Sequence, residues 1–144
     1  LAYVLGGVDG LVELLRAGQA MTDRDGRGHC VQQAAAWAVY ELALQQLERG
    51  KAGASEWSQS DVLVALLLDA MRSRRSPPPL ELLWACCSAL RQLTQEQPCR
   101  GSLFVERGGD EALLAALGLG QGAKDAEGEA LLVAGMQLMT SLVE

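Results

Sequence analysis

Few residues in this sequence have side chains suited to catalysis or metal binding. It holds one histidine, His29, and four cysteines, Cys30, Cys86, Cys87 and Cys99. Catalysis by a Ser or Cys nucleophile needs a base within hydrogen-bond reach and a third group to orient that base. His29 would have to be the base, and no nucleophile motif accompanies it. At the edge of a glycine-rich stretch it reads as a solvated or hydrogen-bonded imidazole. Metal binding by thiolates needs Cys or His partners at ligand spacing, and none occur. Cys86 and Cys87 are neighbours inside an apolar run. On a helix their side chains diverge by about 100°, so they read as small buried hydrophobes of a reducing compartment.

Two glycine-containing segments resemble ligand loops only in part. Asp23-Arg24-Asp25-Gly26 has the glycine of a calcium loop, but in that register Met21 and Gln32 occupy the first and last ligand positions, where carboxylates belong. Gly118-Leu119-Gly120-Gln121-Gly122-Ala123-Lys124 approaches a phosphate loop, but Ala123 replaces the second glycine, Asp125 replaces the Ser or Thr, and a helix precedes it instead of a strand. Arg72, Arg74 and Arg75 gather before three prolines and flank Ser73 and Ser76. They read as a solvated helix end, with an acidic contact or a phosphorylation-sensitive turn as the sharper alternative.

Composition narrows the classes. At 144 residues and 49% hydrophobic the chain is large and apolar enough for one packed core. With aromatics at 4%, Leu, Ala and Val must build that core. A net charge of −6 disfavours a nucleic-acid backbone as partner. No apolar run approaches the ~20 residues that span a bilayer, and no signal-peptide pattern is present. The expected setting is cytoplasmic, with the nucleus as the alternative, and no cofactor or metal is expected.

Helical periodicity runs through the chain. Leu11, Leu14 and Leu15 share a face of a helix that Gly18 is expected to close, with a loop from Gln19 to Gly28. A long helix over about 30–47 follows, with Val31, Ala34, Ala35, Ala38 and Leu42 as its core stripe. A loop over 49–58 leads to a helix over 62–72, which the proline run ends. Pro79 suits the first turn of the next helix, carrying Leu83, Cys86, Cys87, Leu90 and Leu93. Pro98 opens a short helix with Leu103 and Phe104, and Asp110 is the expected N-cap of a helix with Leu113, Leu114 and Leu117. A loop over 118–128 and a last helix over 129–143 complete the chain.

The segment Gly6–Leu15 aligns without gaps to Gly108–Leu117, at an offset of 102, and Leu63–Leu67 fits the same helix at an offset of 52. In the long helices Ala38-Val39 and Leu42 match Ala89-Leu90 and Leu93 at an offset of 51, and Leu138-Met139 and Leu142 continue at an offset of 49. The chain thus reads as one helical unit written three times. A single copy cannot bury both faces of its helices, so the copies must stack on a continuous core.

This pattern resembles the armadillo repeat, a short first helix ending in Gly, a second helix of LVxLL type and a long third helix. Copy one reads Leu1–Gly7, then Leu11-Val12-Glu13-Leu14-Leu15, then Ala36-Trp37-Ala38-Val39-Tyr40-Glu41-Leu42-Ala43; copy two has Ala89–Thr94, and Pro98–Gly109 is similar to the first helix between repeats. The resemblance implies an all-α, right-handed solenoid, with repeats over 1–53, 54–97 and 98–144. Leu1 falls within a first helix and Glu144 within a third, so the chain reads as a piece of a longer solenoid. The implied function is non-enzymatic protein recognition, with third helices lining a groove for a protein or extended peptide. Trp37 matches the groove Trp of nuclear-import adaptors, but Glu41 stands for their Asn. Ser88 and Gln92 fill the pair in copy two, and Gln137 and Ser141 in copy three. The ladder that grips basic import signals is therefore not carried over. Register places Trp37, Glu41, Trp84, Ser88, Arg91 and Gln92 as the partner-binding set. A structural segment that only packs within a longer assembly is the rival reading.

Overall fold

The structure, a computed structural model, describes residues 8–25, 28–48, 60–72, 79–96, 98–123 and 125–143. These form seven α-helices and no strand: α1 (Val8–Asp25), α2 (His29–Glu48), α3 (Ser60–Met71), α4 (Leu80–Glu96), α5 (Pro98–Glu106), α6 (Gly109–Gly122) and α7 (Ala126–Val143). The expected first helix of copy one, the loop over 49–58 with Trp57, and Arg74 and Arg75 with Ser73 and Ser76 lie outside the described residues.

Each medium helix packs on the long helix that follows it: α1 on α2, α3 on α4 and α6 on α7. The long helices pack side by side in the order α2, α4, α7, and among the described residues α2 and α7 do not pack on each other. The core is accordingly aliphatic: Leu11, Leu15, Leu63, Leu67, Leu90, Leu93, Leu113 and the ring of Phe104 are sealed from solvent. Of the long-helix stripe expected in copy two, all five residues are buried. In copy one Val31 is half-buried and Ala34 is exposed, a correction to the expected stripe.

The repeat offsets explain that difference. On a long helix flanked by two others, one stripe faces the helix before it and another the helix after it. Ala34 has counterparts Ala85 and Ala134, and only Ala34, with no long helix before it, is exposed. On the opposite stripe Ala36 and Cys87 are fully buried while their counterpart Met136 is 56% exposed. The medium helices show the same pattern, since Val12 and Val64 are buried while Leu114 is 61% exposed. Burial at these matched positions thus follows whether a further helix lies beside them among the described residues.

Glycine was misread as a helix terminator. Gly18 lies inside α1, which runs on to Asp25, so most of the expected loop from Gln19 to Gly28 is about two further turns of helix. A Cβ on Gly18 would lie 2.8 Å from Gln32 Cγ, and one on Gly28 would overlap the Gly18 carbonyl and the Thr22 hydroxyl. The two glycines let the backbones of α1 and α2 touch where the helices cross. Copy three repeats the device: α6 continues to Gly122, and a Cβ on Gly128 would sit 2.9 Å from the Gly120 carbonyl oxygen. At the repeat offsets Gly120 is the counterpart of Gly18, and Gly128 of Gly28. The loop expected over 118–128 shrinks to the short turn before Ala126, where the Gly128 amide donates to Asp125 Oδ1 at 2.9 Å and caps α7. Asp110 is not the N-cap of α6. That position is Gly108, at φ 82°, with Asp110 in the first turn.

Gly28→Ala is expected to lower the unfolding free energy by about 1–3 kcal/mol, through forced separation of packed backbones. Gly118→Ala, where an added Cβ meets nothing within 4 Å in a helix interior, is expected to raise it by about 0.5–1 kcal/mol. Urea unfolding of both variants checks this, and equal effects would contradict the close-approach reading.

Candidate functional site

The three long helices together form a cleft of about 360 Å³. Trp37 and Tyr40 come from α2, Trp84, Ser88 and Arg91 from α4, and Ala130, Val133, Ala134 and Gln137 from α7. Helical spacing explains the selection, because residues three, four and seven apart share a face. Trp84, Ser88 and Arg91 lie at such spacings along α4, as do Ala130, Val133 and Gln137 along α7.

The aromatic wall is fixed by edge-to-face contacts. The Trp37 and Trp84 rings stand perpendicular with centroids 5.1 Å apart, and Tyr40 meets Trp37 at 5.7 Å and 82°. Such pairs contribute roughly 0.5–1.5 kcal/mol beyond area burial. The Trp37–Trp84 pair bridges α2 to α4, so the cleft wall also holds the first two long helices together. All three rings remain half-buried, with part of each surface facing solvent. Arg91 is the charged residue of the lining, and among the described residues no carboxylate lies within ion-pair distance of it. The groove floor is small and apolar at Ala130 and Ala134.

Four of the six residues placed in the groove by sequence therefore line the cleft: Trp37, Trp84, Ser88 and Arg91. Glu41 is exposed on α2 outside the lining. Gln92 is a correction, since it is 5% exposed and its Oε1 has no hydrogen-bond partner. Glu41, Gln92 and Ser141 occupy one repeat position, on the stripe that faces the preceding long helix. On α2 that stripe meets solvent, whereas on α4 it meets α2, so the same position is wet in copy one and dry in copy two. Sequence reasoning did not place Tyr40, Ala130, Val133 or Ala134 in the groove, although the offsets that relate Trp84 to Val133 and Ser88 to Gln137 contain the signal.

The candidate reactive groups are dispersed. His29 Nδ1 lies 3.3 Å from Gln32 Oε1 at the start of α2. Gln32 itself is buried; its Nε2 donates to Gln19 Oε1 at 2.7 Å and its Oε1 accepts from the Thr22 hydroxyl at 3.3 Å. This network ties the end of α1 to the start of α2 and gives the imidazole a structural neighbour. Burial pushes the Cys87 thiol up from the ordinary 9.0 to about 12. Cys86 is raised as well, by burial first and then by the adjacent Cys87. Cys30 is exposed. Among the described residues no three His, Cys, Asp or Glu side chains gather to hold a metal ion, and no helix is long and apolar enough to cross a membrane.

No protein-family model matches the chain, and neither a curated protein nor a solved structure does.

Replacing Gln92 by Leu removes a buried acceptor that lacks a partner, and is expected to stabilise the fold by about 1 kcal/mol in chemical denaturation; a loss of more than that would mean the amide is satisfied in solution. The thiols give a pH test. A folded-state thiol pKa raised above the unfolded value leaves stability intact below about pH 8.5 and erodes it as pH climbs towards about 12. A Cys86→Ala/Cys87→Ala variant is expected to lose less stability than the native chain between these limits. At pH 8, alkylation mapped by mass spectrometry is expected to modify Cys30 and spare Cys86 and Cys87 in the native state.

Proposed function

We propose that this chain is a right-handed α-solenoid of three armadillo-like repeats, and that it works as a non-enzymatic scaffold holding a protein or extended peptide along the groove of its long helices, in a cytoplasmic or nuclear setting. The observation that carries the reading is the cleft shared by α2, α4 and α7, with its paired tryptophans and an Arg91 guanidinium that has no carboxylate of the described residues within ion-pair distance. Aromatic rings and arginine are the side chains that concentrate binding energy at protein interfaces. Half-buried rings offer a large contact area at low entropic cost, because packing already holds them. The residues Ser88 and Gln137 supply hydrogen-bonding groups suited to a peptide backbone. In a chain of net charge −6, Arg91 favours a segment that brings a carboxylate to the cleft. The armadillo resemblance of the sequence supports the same groove.

The test begins with twelve-residue peptides selected from a random phage-displayed library on the native 144-residue chain. Ser88→Trp fills the cleft, and Arg91→Ala removes its charge while leaving the aromatic wall. Each is expected to weaken the selected peptides by at least about tenfold in fluorescence anisotropy, which is about 1.4 kcal/mol, with the helical circular dichroism unchanged. Selected peptides that bind both variants as tightly as the native chain would overturn the groove.

A further inference from the structure

Outside the cleft, the outer face of α6 and α7 carries the molecule's least protected apolar side chains. Leu114 is 61% exposed and Met136 56%. The positions are specific in the repeat. Leu114 is the counterpart of Val12 and Val64, and Met136 of Ala36 and Cys87. All four of those residues are buried, on the side of their copy that faces the next one. Copies one and two therefore show, within this chain, what covers this stripe: the next medium and long helix. The opposite end of the stack differs. Where α2 has no long helix of the described residues before it, Ala34 and Glu41 are exposed, and among the described residues no large hydrophobic side chain is exposed on α1 or α2. One end is dressed for water and the other for contact.

We infer that the Leu114–Met136 face is an interface for one further helix pair of the same repeat type, one whose long helix presents a small-residue stripe as α4 and α7 do at Ala85 and Ala134. The contact surface between copies continues directly onto this face, and Leu114 and Met136 are apolar there as Val12, Val64, Ala36 and Cys87 are in the buried contacts. Apolar area of this kind left in water is a liability that monomers rarely keep. A second copy of this chain docking by its α1–α2 end would press the Glu41 carboxylate against the apolar stripe, so head-to-tail association does not fit.

The probe is the chain's own third copy. Residues 96–144 are appended after Glu144, so that Glu96, Gln97 and Pro98 follow the last helix at the repeat offset of 49 and the added α5–α7 enter as they do in the native chain. A fourth copy seated on the face is expected to melt in one cooperative transition with the rest and to raise Tm by about 5–10 °C, since each interface between repeats adds its own stability. The substitutions Leu114→Glu and Met136→Glu, made together in the first third copy, are expected to abolish that gain. In the 144-residue chain the same pair is expected to leave Tm within about 2 °C, because both side chains are already in water. As a second readout, a hydrophobic dye bound by the native chain is expected to be released by the pair. Two separate melting transitions, no gain in Tm, or no Leu114- and Met136-dependent dye binding would overturn the inference. A dimer of the native chain by light scattering that the same substitutions dissociate would also overturn it, by giving the face a second copy as occupant.

Discussion

The whole arrangement depends on one packing constraint: a long helix between two others buries two stripes, one against the helix before it and one against the helix after it. The first stripe carries Ala34, Ala85 and Ala134 with Glu41, Gln92 and Ser141, and the second carries Ala36, Cys87 and Met136. On α4 both are covered, so Ala85 and Gln92 on one side and Cys87 on the other are dry. The helices at the two ends each keep one stripe in water, and their residues differ accordingly. The cleft is a consequence of the same geometry. Three side-by-side helices present a concave row of remaining side chains, and where these are Trp37, Trp84 and Arg91 the row has the chemistry of a recognition surface.

The close crossings of medium and long helices depend on missing side chains. Gly18 against Gly28 and Gly120 against Gly128 permit backbone contact, and Gly135 lets α7 come within van der Waals reach of Leu117. Glycine costs helical propensity of about 1 kcal/mol, and here that cost is offset by tighter packing of the helix pair.

The helical class and most of the core were legible in the sequence because aliphatic spacing reports directly on buried faces. The long-helix stripe of copy two, Leu83 to Leu93, shows how far this goes: it belongs to the central helix, which is buried on every side that the pattern marks. The same reasoning failed on Ala34, because a stripe is buried only when a neighbour is present, and a local pattern does not contain the neighbour. It failed on Gly18 and Gly120 because glycine as terminator and glycine as close-contact residue look alike until the crossing partner, Gly28 or Gly128, is identified. Of the groove, aromatic and polar spacing identified Trp37, Trp84, Ser88 and Arg91, whereas Gln92 was misplaced. A single repeat position, shared with Glu41, passes from solvent to interior between the first and second long helices.

The central claim is that the copies stack in an open row with α4 between α2 and α7. Nuclear Overhauser contacts among assigned methyl and ring protons test it most directly. The row requires cross-peaks from α4 to both neighbours, including Trp37 to Trp84, and none between the methyls of Ala36 or Val39 on α2 and those of Leu131 or Leu138 on α7. Cross-peaks between those α2 and α7 methyls would mean that the helices close into a bundle, and would contradict the stacked arrangement together with the groove built on it.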